Sequence, residues 1–151
     1  MILEKAIQQS KFKSEHHKVI LNLVYTAGLI EAEQTRFFKQ YDLSPQQYNV
    51  LRILRGQHPN AVCVGLVQER MLDQMSNASR LIEKLKLKNL LTRKECKEDR
   101  RQVDVVITKA GLDLLSEIDK EFDKFEAYIN CLNTQEANEL NALLDKLANQ
   151  F

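Results

Sequence analysis

From Arg93 to Arg101 the chain reads RKECKEDRR, so Lys94, Lys97, Arg100 and Arg101 place ammonium and guanidinium groups along one short stretch. Such groups neutralise phosphates, and the arginine fork also pairs with base edges. Upstream, Gln74, Ser76, Asn77, Ser79, Arg80 and Lys84 gather short polar and basic side chains where a helix should begin. Side chains of this kind donate to phosphate oxygens or read bases at close range, and Arg80 has the geometry for a bidentate pair with guanine. Two plainer readings stand beside this one. The basic stretch is an ordinary solvated hairpin, or Arg80 is tied internally to Glu83 or Asp99. Catalytic chemistry has no comparable footing. No Ser/His/Asp or Cys/His set stands out, no metal-ligand cluster appears, and four glycines leave little scope for a phosphate-cradling loop. The expectation is a protein without cofactor that is not an enzyme.

The elements around these residues can be read from spacing. Val103, Val105 and Ile107 alternate with Gln102, Asp104 and Val106, which predicts a strand and makes Lys97–Arg101 the tip of a β-hairpin. Before it, Ala78, Leu81, Ile82, Leu85 and Leu90 recur at helical spacing. Ser79, Arg80, Glu83, Lys84, Lys86 and Lys88 fall on the opposite face. Ser76 or Asn77 caps this helix, and Asn89 suits the left-handed residue that ends one. Helix followed by basic hairpin is the layout of a winged helix-turn-helix.

Further from the site, a long helix is predicted over about 13–41, weakened modestly by Gly28. Ser44-Pro45-Gln46-Gln47 has the form of a capping box with proline at the first helical position, opening a helix that Gly56 ends. Val62-Cys63-Val64 suits a small strand, Leu66–Leu72 a third helix with Val67, Arg70 and Met71 spaced for packing, and Asp73–Met75 a turn. After the hairpin Thr108 caps another helix, whose stripe runs through Leu112, Leu115, Ile118, Phe122, Phe125 and Ile129. Asn133-Thr134 restarts the chain into a last helix with Ala137, Leu140, Leu144, Leu147 and Phe151. The fold class expected is mainly α with a small β-hairpin wing, in one domain over 1–151.

Composition agrees. The chain has 151 residues, 44% hydrophobic, with only two prolines. It is long enough to bury a core and too poor in breakers to be rich in turns. No apolar run approaches the ~18 residues of a membrane span, and MILEKAIQQSKFKSEHH lacks a signal-peptide core. A cytoplasmic protein without membrane association is expected. Cys63, Cys96 and Cys131 are an odd number at wide spacing, which fits reduced thiols. Net charge is +1, yet its distribution is uneven. Residues 1–55 carry 8 basic and 5 acidic side chains (net +3), residues 56–101 carry 10 and 6 (net +4), and residues 102–151 carry 4 and 10 (net −6). The positive middle coincides with the helix and hairpin that would meet phosphates.

Over about residues 15–149 the chain resembles the MarR family (multiple-antibiotic-resistance regulators). The order Arg80, Leu85, Asn89, Arg93, then Asp99-Arg100-Arg101, then Thr108 and Gly111 carries the resemblance. Two positions depart from it. Asn89 stands where the family often has Gly, and Leu72 where it has a small turn residue. The resemblance implies a winged helix-turn-helix over about 42–108, flanked by dimerisation helices over about 1–41 and 109–151. It implies a homodimer on double-stranded DNA, with a pseudo-palindromic operator whose half-sites lie about one helical turn (~10 bp) apart. Lys94, Lys97, Arg100 and Arg101 would hold the wing on the duplex, Arg101 in the minor groove and Arg100 oriented by Asp99. The resemblance further implies a repressor relieved by a small aromatic or anionic ligand, for which His16, His17, Tyr25, Tyr48 and Arg52 are the lining residues expected. The peroxide-sensing cysteine and the zinc-sensing histidines of some members are not matched, because no cysteine precedes Cys63 and every histidine precedes residue 60. Two other readings remain open. One is a redox-responsive regulator working through Cys96, whose thiol lies between Lys94 and Lys97. The other is an all-helical protein-interaction adaptor without DNA binding.

Overall fold

The computed structural model describes residues 2–95 and 103–151. Cys96, Lys97, Asp99, Arg100 and Arg101 lie outside the described residues. The chain divides into two compact units, Met1–Leu115 and Ser116–Phe151.

In the first unit a short helix, α1 (Leu3–Ala6), precedes the long α2 (Glu15–Lys39). Leu3 is buried, and an ion pair from Lys18 to Glu4 ties α1 to the start of α2. The bounds predicted for α2, 13–41, shrink at both ends. Ser14 caps it by accepting from the His17 N–H, and Gly28 passes without a break. Asp42, with φ 53, turns the chain toward α3 (Pro45–Gln57). The predicted capping box is present: Ser44 Oγ accepts from the Gln47 N–H at 3.1 Å, and Gln47 Oε1 accepts from the Ser44 N–H at 3.0 Å. Gly56 is not the stop. The helix runs past it and ends at His58, which is extended (ψ 136) because the following Pro59 disfavours helical backbone there.

α3 is the centre of the core, with Val50, Leu51, Ile53 and Leu54 all buried. It packs against α2, α4 (Val64–Glu69), α5 (Ala78–Leu87) and β3 (Val103–Ile107). Each large aliphatic side chain hidden there contributes about 1.5–3 kcal/mol of transfer free energy. Two expectations need correction at this point. Val64 is not a strand residue: β1 is Val62–Cys63 only, and Cys63 Sγ accepts from the Leu66 N–H at 3.4 Å, so the helix opens two residues earlier than predicted. The same helix ends at Glu69 rather than Leu72. Met71 is buried beyond its end, while Arg70 is exposed and does not pack.

β1, β3 and β2 (Leu91–Glu95) form a three-stranded antiparallel sheet in that order. Val105 and Ile107 face the core, as the alternation predicts. Lys94 lies opposite Asp104 and Arg93 opposite Val105.

α6 (Lys109–Lys120) begins in the first unit and ends in the second, with Leu115 and Ile118 buried. The single stripe predicted through Ile129 is broken. Glu121 leaves helical backbone (φ −106, ψ 7), and α7 (Phe122–Glu126) and a 3-10 turn (Ala127–Ile129) follow. Phe122 and Phe125 keep the three-residue rhythm across the break, so the spacing hides it. α8 (Thr134–Ala148) starts on a second capping box, Asn133 with Glu136, and buries no residue. Among the described residues no helix is long and apolar enough to cross a membrane.

Candidate nucleic-acid interface

α5 is held by one face and presents the other. Ala78, Ile82 and Leu85 are buried, while Ser79, Arg80, Glu83 and Lys84 are exposed. Asn77 is its N-cap, its Oδ1 accepting from the Arg80 N–H at 3.0 Å. Ser76 lies one residue earlier and is half-buried. At the other end Asn89 is left-handed (φ 59). Its N–H reaches the Lys86 carbonyl at 2.9 Å, and the Leu90 N–H reaches the Leu85 carbonyl at 3.1 Å. This pair of bonds is a Schellman ending with asparagine in the usual place of glycine.

The turn leading into α5 is fixed by side chains from several elements. Asn49 Oδ1 of α3 accepts from the Leu72 N–H at 2.8 Å. Gln68 of α4 donates to the Ser76 carbonyl at 2.8 Å and accepts from the Ala78 N–H at 3.0 Å. Gln74 donates to the Met71 carbonyl at 2.6 Å. Asp73 accepts from the Met75 N–H at 3.0 Å and from the Ser76 hydroxyl at 2.7 Å. The Ser76 bond first, then the Met75 N–H, holds the Asp73 carboxyl below its ordinary value. Each bond satisfies a group that a tight turn would otherwise leave without a partner, and together they set where α5 begins.

Beyond the C-terminal end of α5, Thr108 joins three pieces. Its hydroxyl donates to the Asn89 carbonyl at 2.8 Å and accepts from the Gly111 N–H at 3.1 Å, and its own N–H reaches the Leu90 carbonyl at 3.1 Å. Gly111 is required for that approach, since a Cβ there would lie 2.3 Å from the Leu90 carbonyl oxygen and 2.7 Å from Ile107 Cγ1. The Thr-x-x-Gly spacing is therefore the joint between α5, the hairpin and α6. Lys88 ties the same end of α5 to Asp42 at 2.9 Å.

Of the two internal pairings considered for Arg80, that with Asp99 falls outside the described residues, and that with Glu83 is taken by another residue. Glu83 pairs with Arg93 on β2, so α5 and the hairpin are bridged directly. Among the described residues Arg80, Lys84 and Lys94 make no ion pair, and all three are exposed. Ser44, Gln46, Ser76, Asn77, Arg80, Leu81 and Lys84 line one open cavity of about 410 Å³. Two basic side chains beside two helix N-termini can hold a phosphate, because their charge and the helix dipoles favour an anion. Ser44 and Gln46 were not among the site residues read from sequence. The capping box explains Ser44 without reference to a ligand, and only its placement beside Arg80 marks Gln46. Gln74 is exposed in the turn and Ser79 on the first turn of α5.

The expected effector residues line neither of the two cavities described in this fold. His16 and Arg52 are exposed. His17 is half-buried with its ring 6.4 Å from that of Phe12, and Tyr48 stacks on Phe38 at 4.3 Å. Tyr25 is half-buried on α2. None of the five lines the cavity just described, nor a second one of about 370 Å³ lined by α2, α3 and the turn before α5.

No protein-family model and no curated protein matches the chain. Solved structures do. A MarR-like transcription regulator from Bacillus cereus superposes with a TM-score of 0.80 at 22% identity, over 91% of this chain and 98% of that one. MepR of S. aureus, solved in a complex with DNA, superposes at 0.77 with 18% identity, over 93% and 100%. At those identities the likeness is one of fold. A MarR transcription factor from Planctomyces limnophilus is 32% identical over 89% of this chain and 98% of that one, with a TM-score of 0.69. The chain therefore belongs to the MarR family, whose members are transcription regulators and not enzymes.

Proposed function

We propose that this protein is a sequence-specific DNA-binding regulator that acts as a homodimer on a pseudo-palindromic operator, as a repressor released by a small ligand. The observation that carries the reading is the outward face of α5. Arg80 and Lys84 stand one helical turn apart, unpaired among the described residues, on a helix whose start, end and roll are each fixed by hydrogen bonds. A helix held in this way loses little freedom on binding, so its contacts are not spent on ordering it. Asn77, Ser79 and Arg80 meet base edges in the major groove, while Ser44, Gln46, Ser76 and Lys84 hold a flanking phosphate. Gln74 touches the backbone from the turn. Lys94 begins the wing contact that Lys97, Arg100 and Arg101 complete, with Arg101 in the minor groove. That MepR was solved with DNA on the same fold supports this docking.

Dimerisation is supported by what the terminal helices leave uncovered. α2 buries only Phe38 along 25 residues and exposes Val19, Ile20, Val24 and Leu29. α8 exposes Leu140, Leu143, Leu144 and Leu147. Faces of that apolar content call for a cover, and a second copy supplies it symmetrically.

Fluorescence anisotropy with duplex DNA at several salt concentrations tests the reading. Affinity should fall steeply with salt, by a slope of about −0.9 per phosphate neutralised. Lys84→Ala should weaken all duplexes alike and reduce that slope by about 1. Arg80→Ala should cost about 1–3 kcal/mol on the preferred sequence and little on others. Binding indifferent to salt and to both substitutions would leave the adaptor reading in its place.

A further inference from the structure

The cavity of about 370 Å³ between α2, α3 and the turn before α5 differs chemically from the one that faces DNA. Glu31 and Gln34 come from α2, Pro45, Gln46 and Asn49 from α3, and Met71, Leu72 and Asp73 from the turn. Its volume lies in the range of small-molecule sites, about 300–1,000 Å³. Among the described residues two acidic side chains line it and no basic one does. Pro45, Met71 and Leu72 give it an apolar wall. Asp73 stays ionised readily, because its oxygens accept from the Ser76 hydroxyl and the Met75 N–H.

A second observation points the same way. Asn49 lines the cavity and is only 4% exposed. Its Oδ1 is used by the Leu72 N–H at 2.8 Å, which settles which atom of the amide is which. Its Nδ2 is buried and has no partner among the described residues. A buried donor without an acceptor is costly, and native structures keep one where something else completes it.

We propose that this cavity is a binding site for a small organic cation: an apolar body against Pro45, Met71 and Leu72, a charged ammonium or amidinium group between Glu31 and Asp73, and a hydrogen-bond acceptor toward Asn49. The site is not the aromatic or anionic one that the family resemblance implies, and none of His16, His17, Tyr25, Tyr48 or Arg52 lines it. Its floor is the turn that positions α5. A cation seated there pulls on Asp73, which holds Ser76, and presses on Leu72, which Asn49 holds. Through those two bonds it moves the start of α5, so it changes the grip on DNA. That last step rests on the regulator reading proposed above, but binding itself does not.

Three probes share one ring and differ in charge: benzamidine, benzamide and benzoate. Calorimetric titration of each into the purified full-length protein should give saturable binding of benzamidine at one site per chain, weaker binding of benzamide and none of benzoate. Glu31→Gln alters an exposed helix position and leaves the fold intact. It should weaken benzamidine by about threefold or more, the scale of a partly exposed ion pair. Asp73→Asn should do the same, whereas Glu117→Gln, an exposed acid on α6, should change nothing. Equal binding of benzoate and benzamidine overturns the proposal. So does benzamidine binding that ignores both substitutions, or no saturable binding of any probe. If benzamidine binds as expected but the protein ignores all DNA, the cavity assignment stands and the regulator reading fails. If DNA binds and benzamidine does not, the reverse holds.

Discussion

Gln68 illustrates how a single residue can set the interface without touching a ligand. It lies on α4, yet its amide spans the Ser76 carbonyl and the Ala78 N–H, one on each side of the Asn77 cap. Gln68→Ala removes both bonds, each worth about 1 kcal/mol net. It should lower affinity for the preferred operator more than for random duplex, because only base reading needs α5 at a set depth. Gln68→Glu keeps the acceptor for Ala78 and loses the donor to Ser76, so it should fall between wild type and Ala in the same anisotropy titration. Equal losses on both duplexes would reduce Gln68 to a purely structural role. Asp73 gives a second test at this scale. Its folded-state value lies below the ordinary 3.8, so its contribution to stability is complete above that value and is lost as pH falls through the folded one. Asp73→Asn should therefore destabilise at neutral pH and flatten the acid limb of a denaturation series. An unchanged acid limb would contradict the assignment. Little of this network was legible in the sequence. Short-range caps such as Ser44 and Asn77 announce themselves by spacing. Gln68 reaches eight and ten residues ahead, and Glu83 finds Arg93 rather than Arg80 because a strand brings it there. No periodicity encodes those partners.

At the scale of elements, capping chemistry made helix starts easy to read and packing made their ends hard. α3, α5 and α8 begin where Ser44, Asn77 and Asn133 predict, and the alternation of β3 is seen in the burial of Val105 and Ile107. α4 was misplaced because Cys63, the last residue of β1, also serves as its cap, so that Val64 is helical, and because Asn49 claims the Leu72 N–H that a longer helix would have used. The break at Glu121 was missed because Phe122 and Phe125 carry the stripe across it. Two glycines separate propensity from contact. Gly111→Ala drives a methyl into the Leu90 carbonyl and Ile107, and the backbone cannot yield without moving the joint. It should cost about 1–3 kcal/mol by chemical denaturation. Gly56→Ala adds a methyl to open space inside α3 and should be neutral or stabilising by up to ~1 kcal/mol. The reverse order would mean that the joint is looser than its geometry.

For the whole molecule, the uneven charge of the chain divides labour between its parts. The net +4 of residues 56–101 coincides with the elements proposed to face phosphate, and the net −6 of residues 102–151 with α6 to α8. The exposed leucines of α8 and the apolar side of α2 are where a second copy is proposed to cover the chain. Leu144→Asp should shift the protein toward monomer by analytical ultracentrifugation and weaken operator binding, while leaving the helical content of each chain unchanged. A dimer untouched by that substitution would place the interface elsewhere. The measurement that bears most directly on the central claim is selection of bound duplexes from a random-sequence pool by the purified protein. The account predicts enrichment of one inverted repeat, with half-sites centred about one helical turn (~10 bp) apart, and its loss with Arg80→Ala. A pool that stays random even at low ionic strength, or a motif without twofold symmetry, would contradict it.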